Sequence, residues 1–276
     1  MSNEPRTPAP PERRTVEVAG CETLGAYGLL WALDREGPLD PRPGQFYMLA
    51  AAERWGGGSS ERPYLPRAFS FARALRDGNG IRLAFLLEEV GPGTERLAEL
   101  QAGEGLSLVG PLGLGFRPVR EGRRPLLVGG GIGTAPLLCL TDELDHPAVL
   151  LGFRSAAHAA VAALFPDEVQ LATDDGSAGR HGLVTELLAA ELDADAHAEI
   201  FACGPPPMLE AVRVLCAERA LPAQLAMESG MACGFGACFG CVVPTRDGYL
   251  RLCVDGPVVE AASLETARTP GGGHQG

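Results

Sequence analysis

The sequence predicts a mixed β and α/β protein: an N-terminal six-stranded antiparallel β-barrel, a doubly wound parallel α/β domain, and a small cysteine-rich C-terminal domain. Three observations carry that expectation. Six strand-like runs, TVEVAG, YGLLWALD, QFYMLAA, RAFSFARAL, IRLAFLLEEV and GLSLVG, lie between glycine, proline and polar breakers, with a single helical run, GTERLAEL, before the last. From Arg123 onward the pattern changes to four strand–helix units in succession, the signature of a parallel sheet covered on both faces. Finally, four of the eight cysteines fall within twenty-one residues near the C-terminus.

The α/β units can be taken in order. PLLVGGG is followed by the helical run TAPLLCLTDEL, AVLLGF by SAAHAAVAALF, VQLATDD by LVTELLAAEL, and AEIFACG by PPMLEAVRVLCAERAL. In the last helix Met208, Val212, Leu215 and Cys216 repeat at helical spacing and would cover a sheet. LPAQLAMES reads as a final strand. The segment from Gly230 to about Glu260 is too short and too cysteine-rich to form an independent apolar core, and a metal would stabilise it.

Composition narrows the function. The formal net charge of −12, from 35 acidic and 23 basic residues, disfavours phosphate backbones and hence nucleic acid. Every basic residue is arginine, so no Schiff base can form on a lysine. No run approaches the roughly eighteen apolar residues of a membrane span, and the Pro-rich, charged start lacks the pattern of an export signal. The expected location is cytoplasmic, where eight cysteines do not imply a disulfide framework. The loop ERWGGGSSERPYLP is long and rich in glycine and serine, as binding loops and flaps often are.

Cys233, Cys238, Cys241 and Cys253 stand as Cys-x4-Cys-x2-Cys with the fourth twelve positions later, the plant-type spacing of a 2Fe–2S cluster. Gly234, Gly236 and Gly240 would let the loop wrap inward and aim N–H groups at sulfur. Zinc is the competing reading, but only Cys238 and Cys241 form a short knuckle. Four merely structural thiols would not need the intervening glycines.

VGGGIGTAP, residues 128–136, lies between a strand and a helix, where a glycine turn admits a pyrophosphate to a helix N-terminus. Gly129, Gly130, Gly131, Ile132, Gly133 and Thr134 are the candidates there. CGPPPM opens the last crossover helix, so Cys203, Gly204, Pro205 and Met208 would converge on the same crevice. Cys203 is expected beside a nicotinamide ring or, in the plainer reading, packed at a strand end. Asp174 and Asp175 end the third strand of the sheet and would favour a free 2′-hydroxyl, hence NAD over NADP; Arg154 and Arg180 stand close enough in sequence to oppose that preference. An Asx turn at TDDG would equally account for one of the two aspartates. In the barrel, RAFS and VGPGT could supply an arginine and a glycine turn to a diphosphate, or serve only as a strand and a helix cap. The five histidines form no metal or catalytic spacing.

PGQF, RAFS, GPGT, GPLGLGF, VGGGIGTAPL, TDDGSAGRHGLVT and CGPPPM stand in the order of the ferredoxin–NADP reductase superfamily, which this chain resembles over nearly all of residues 14–260. The terminal MESGMACGFGACFGCVV and CVDGPV are similar to the electron-transfer subunits of NAD-dependent (class 1B) dihydroorotate dehydrogenases of pyrimidine biosynthesis. The resemblance implies a disordered arm (1–13), an FAD-binding barrel (14–118), an NAD-binding domain (119–224), a 2Fe–2S domain (225–262) and a disordered tail (263–276). It implies FAD against Arg67, Ala68, Phe69, Ser70, Leu86, Leu87 and Glu88, with its diphosphate at Gly93 and Thr94. It also implies a separate FMN-containing catalytic subunit, joined with this one as a heterotetramer, that oxidises dihydroorotate. Related reductase subunits serve hydrogenases, oxygenases or ferredoxin-linked complexes, and a zinc-stabilised scaffold without redox function is the remaining alternative. Two departures stand out: Ala68 replaces the usual proline, and Leu87-Glu88 replaces Tyr-Arg. With a carboxylate near a diphosphate, Arg82 or Arg96 would supply the compensating charge.

Overall fold

A computed structural model describes residues 12–56, 63–78, 80–166 and 168–269. Most of the expected N-terminal arm, the end of the expected tail from residue 270, and the centre of the Gly/Ser-rich loop lie outside the described residues. The barrel is built from β1 (Arg13–Leu24), β2 (Tyr27–Asp34), β3 (Phe46–Ala51), β4 (Arg67–Asp77), β5 (Gly80–Leu87) and β6 (Gly105–Leu112), with α1 (Pro92–Ala98) before the last strand. It closes in the order β1-β2-β5-β4-β3-β6, and β6 pairs back onto β1 in antiparallel register. Closure leaves no exposed barrel edge.

Side chains alternate across each strand. On β5, Ile81, Leu83, Phe85 and Leu87 fill the barrel interior with Leu30, Tyr47, Leu49 and Phe71. Ala84 and Leu86, on the other face, pack instead with residues of the α/β domain. Arg14 and Asp34 form a buried ion pair in which Asp34 also accepts the backbone N–H of Gly37 at 2.9 Å.

The second unit runs β7 (Arg124–Gly130), α2 (Thr134–Thr141), β8 (Ala148–Phe153), α3 (Ala156–Ala159), β9 (Val169–Thr173), β10 (Arg180–His181), α4 (Val184–Ala194), β11 (Ala198–Cys203), α5 (Pro206–Glu218) and β12 (Ala223–Ala226). The third run of helical residues is shorter than its pattern suggests: α3 gives way to a 3-10 turn at Ala160–Leu164. The Ala157 carbonyl accepts the N–H of Ala26 from the barrel at 3.0 Å, which diverts it from the helical ladder. In α5, Val212 and Cys216 are buried and Met208 and Leu215 pack beside them, as the spacing predicts.

The sheet order is β10-β9-β8-β7-β11-β12, extended at its far edge by β15 (Val258–Glu260), which pairs antiparallel to β12. Before it come the hairpin β13 (Val242–Thr245) and β14 (Gly248–Arg251) and the short α6 (Leu252–Asp255). The C-terminal segment is thus joined to the nucleotide sheet rather than appended to it. Its Cys241, Val243, Leu252, Cys253 and Val259 share one apolar cluster with Leu126, Leu225 and barrel residues Phe46, Met48 and Leu112.

The expected tail departs from disorder over its described part. Leu264 and Ala267 are buried, and the Ala267 N–H donates to Glu210 at 2.6 Å. The Arg213 hydrogen bond, followed by the Ala267 N–H and Thr266, holds the Glu210 carboxyl at about 2 despite its partial burial.

Candidate functional site

Strands β7 and β11 are parallel neighbours, with Cys203 opposite Gly129. Chain connections run to opposite sides from here, so the loops leaving the two strands open the switch-point crevice of the sheet. Gly131 adopts φ 54 and starts a 3-10 turn into α2. A Cβ on Gly133 would lie 2.6 Å from the Gly204 backbone, and one on Gly130 would lie 2.5 Å from Met208 Sδ. The two loops meet because glycine lets them.

The crevice continues along the barrel wall as one cleft of about 1170 Å³. On the sheet side Gly130, Gly131, Ile132, Gly133, Asp174, Cys203, Pro205 and Met208 line it; on the barrel side Arg67, Ala68, Phe69, Ser70, Leu86, Glu88, Gly93 and Thr94 do. Thr94 Oγ1 accepts the Val90 N–H at 2.9 Å and donates to the Gly91 carbonyl at 3.0 Å, bracing the glycine turn. Arg67 lies over that turn: a Cβ on Gly93 would meet its Nε at 2.6 Å. An arginine against a glycine turn suits a diphosphate.

Five of the expected positions face elsewhere. Leu87 points into the barrel interior because strand side chains alternate. Gly129 packs against Leu151 and Leu137, and Thr134 is buried with its hydroxyl donated to the Gly131 carbonyl at 3.0 Å. Gly204 sits beneath the wall between Gly133 and Met208. Asp175 turns away to accept the Ser177 hydroxyl at 2.6 Å and its N–H at 2.9 Å, an Asx turn whose Ser177 hydrogen bonds lower its pKa. Nor do Arg82 and Arg96 answer the charge of Glu88. Arg82 lies 5.0 Å from the Trp31 ring, and Arg96 is buried beside Glu99 and Glu104. Arg154, from the end of β8, pairs with Glu88 instead.

Residues that the sequence reading left unassigned complete the wall: Tyr27, Phe46, Leu183 and the run from Ala226 to Met231. Burial pushes the Glu228 carboxyl up to about 7, and burial with the nearby Glu228 charge pushes the Cys203 thiol well above its ordinary range. Glu228 stands two residues beyond the last parallel strand, and that position at the carboxyl edge of the sheet was its one sequence signal.

The same run leads into the cysteine loop. Gly234 (φ 81) and Gly236 (φ 87) make its turns, and Gly234 sits against Met48 of the barrel. Desolvation opposes ionisation of Cys233, but the N–H groups of Cys238, Phe235 and Ala237 and the Cys238 thiol outweigh it and bring the thiol down to about 6. The β13–β14 hairpin, with Val242 opposite Arg251, returns the chain so that Cys241 and Cys253 sulfurs lie 3.2 Å apart. Burial, followed by that Cys241 contact, raises Cys253 to about 12. Among the described residues no three metal-binding side chains gather round one point. Cys241 and Cys253 form one close pair of thiols, and the Gly240 N–H donates to Cys238 Sγ at 3.4 Å. Cysteines at plant-type spacing, with amide donors turned toward sulfur, suit a 2Fe–2S cluster.

A barrel and a doubly wound sheet sharing a cleft, with a four-cysteine segment that follows directly on one wall of that cleft, define an electron-transfer protein of the ferredoxin reductase fold class. Residues 228–265 match the iron–sulfur cluster binding domain of dihydroorotate dehydrogenase B. The chain is 34% identical over 256 residues to the dihydroorotate dehydrogenase B (NAD(+)) electron transfer subunit of Clostridium acetobutylicum, covering 92% of this chain and 98% of that one. It is 37% identical over 235 residues to the subunit of the same name from Bacillus caldolyticus, covering 81% and 86%. The chain belongs to the family of dihydroorotate dehydrogenase B electron-transfer subunits. In fold it is similar to an NADH-dependent reduced ferredoxin–NADP oxidoreductase, with a TM-score of 0.77, 24% identity and coverage of 91% and 90%. It is also similar to the ferredoxin reductase of carbazole 1,9a-dioxygenase, with a TM-score of 0.62, 25% identity and coverage of 77% and 67%. No helix among the described residues is long and apolar enough to cross a membrane.

Proposed function

We propose that this chain takes electrons from an FMN-containing, dihydroorotate-oxidising partner subunit through a 2Fe–2S cluster and FAD and delivers them to NAD+, in the cytoplasm and within a heterotetramer. The observation that carries this reading is the continuity of the cleft wall. Residues 226–231 line the cleft and run directly into Cys233, so the nucleotide and cluster sites share one short segment of backbone.

Cys233, Cys238, Cys241 and Cys253 hold the cluster. Arg67, Ala68, Phe69, Ser70, Leu86, Gly93 and Thr94 hold FAD along the barrel, with Arg67 and the Gly93 turn at the diphosphate. Gly130, Gly131, Ile132 and Gly133 receive the NAD pyrophosphate, and Cys203, Pro205 and Met208 bound its nicotinamide end. Asp174 faces the adenosine ribose. Bound FAD exchanges a pair of electrons with nicotinamide and single electrons with an iron–sulfur cluster. The chain's own work is to bind, orient and exclude water: Tyr27, Leu86 and Met227 close the cleft with apolar surface.

Cys238 is exposed, and Phe235 and Phe239 flank it with 53% and 62% of their surface accessible, which supports docking of the partner at the cluster loop. Co-expression with an FMN-containing partner tests the proposal: dihydroorotate-dependent NADH formation is expected. A complete complex with all cofactors bound and no such turnover would refute it.

A further inference from the structure

Arg154 leaves the carboxyl end of β8 beside Asp174, whose N–H donates to the Phe153 carbonyl at 2.9 Å. Its guanidinium reaches across the cleft to Glu88, 66 residues earlier and on the barrel. His158 Nε2 lies 3.1 Å from the same Arg154 nitrogen and 3.7 Å from the same Glu88 oxygen. The imidazole is positioned by Ser155 Oγ at 2.9 Å from its other nitrogen and by Tyr27, edge-on at 5.6 Å. The Glu88 side chain is 21% exposed and Arg154 60%, so the carboxylate is the fixed member and the arginine the arm it holds.

This corner is where a doubly wound sheet places the adenosine ribose, and an arginine here is the natural ligand of a 2′-phosphate. The other nearby arginine, Arg180, lies 3.3 Å from Glu186. Arg154, which lines the cleft, and Arg180 are therefore each engaged by a carboxylate, and Asp174 adds a negative charge to the cleft wall.

We propose that Glu88 is a specificity-determining residue for the nucleotide, acting through Arg154: by holding the guanidinium it withholds it from a 2′-phosphate and biases the cleft toward NAD. Glu88 is in this sense a positioning residue, and the inference rests on the reading of the cleft as a dinucleotide site. The ion pair is partly exposed, so its removal shifts the preference rather than inverting it.

The test is the ratio of NADP+ to NAD+ dissociation constants, measured by calorimetry on the full-length chain carrying its flavin and cluster. In Glu88→Gln the ratio is expected to fall about fivefold, and in Glu88→Gln/Arg154→Ala to return to the native value. Arg154→Ala alone is expected to change it less than about twofold, since the native guanidinium is already engaged. An unchanged ratio in Glu88→Gln, with NAD+ binding retained, would overturn the proposal. So would a severalfold rise in Arg154→Ala alone, a result that decides the matter even where Glu88→Gln fails to fold. A native chain that binds neither nucleotide would instead overturn the nucleotide reading itself, and this inference with it.

Discussion

Gly133 and Gly204, on loops leaving adjacent parallel strands, approach so closely that a Cβ on the first would lie 2.6 Å from the backbone of the second. The obstruction is backbone, which cannot swing aside as a side chain can. Gly133→Ala therefore separates the two loops that frame the crevice. Because small displacements of a binding loop are costly, the KM for NADH in an artificial-acceptor assay is expected to rise about tenfold or more. Flavin content, which the proposed function assigns to the barrel wall, is the control and is expected to hold.

The cysteine loop depends on glycine for a different reason. Gly234 has φ 81, a left-handed conformation that costs a residue bearing a Cβ about 1–2 kcal/mol. Its Cβ would also meet Met48 Cγ at 2.6 Å. Gly234→Ala is expected to lower iron and acid-labile sulfide per chain, and Cys253→Ser to remove most of both, as read by metal and sulfide analysis.

The Glu228 carboxyl, raised by burial from 4.5 to about 7, has a definite pH signature. A raised folded value means the ionised form is disfavoured in the native state. The associated stability is complete below about 4.5 and is lost as pH rises through about 7. Glu228→Gln is expected to flatten the Tm profile over that window and to exceed the native Tm at pH 8. The gain corresponds to at most about 3 kcal/mol. Identical profiles for the two proteins would contradict the assignment.

Asp34 is the carboxylate of the buried ion pair in the barrel. It is fully buried and paired with the buried Arg14. Asp34→Ala leaves an uncompensated guanidinium, which typically costs about 3–5 kcal/mol. Thermal unfolding is expected about 10 °C lower, with residual cofactor content following the loss of fold.

The barrel strands, the parallel units and the cysteine loop were legible because each is a local pattern. Leu87 could also have been placed correctly: on a strand that puts Leu86 and Glu88 on the cleft, period-two alternation sends Leu87 inward. Thr134 and Gly129 were misplaced for a subtler reason, since a glycine motif does not reveal which of its members face the ligand and which support the turn. The Glu88–Arg154 pair was beyond reach, because it joins residues 66 apart on two domains whose docking no local pattern encodes. The same holds for Leu264 and Ala267: in a stretch ending in glycine and proline, their burial follows only from the position of Glu210 on α5.

In the proposed function, one chain joins a cluster to a flavin and a nicotinamide site through the wall formed by residues 226–231. Anaerobic purification of the full-length chain, with iron, sulfide and flavin analysis followed by NADH titration in the visible range, tests it most directly. The expected result is about two irons and two acid-labile sulfides per chain, together with FAD, and bleaching of both the flavin and the iron–sulfur bands by NADH. A colourless protein holding a single zinc, with no spectral response to NADH, would contradict it.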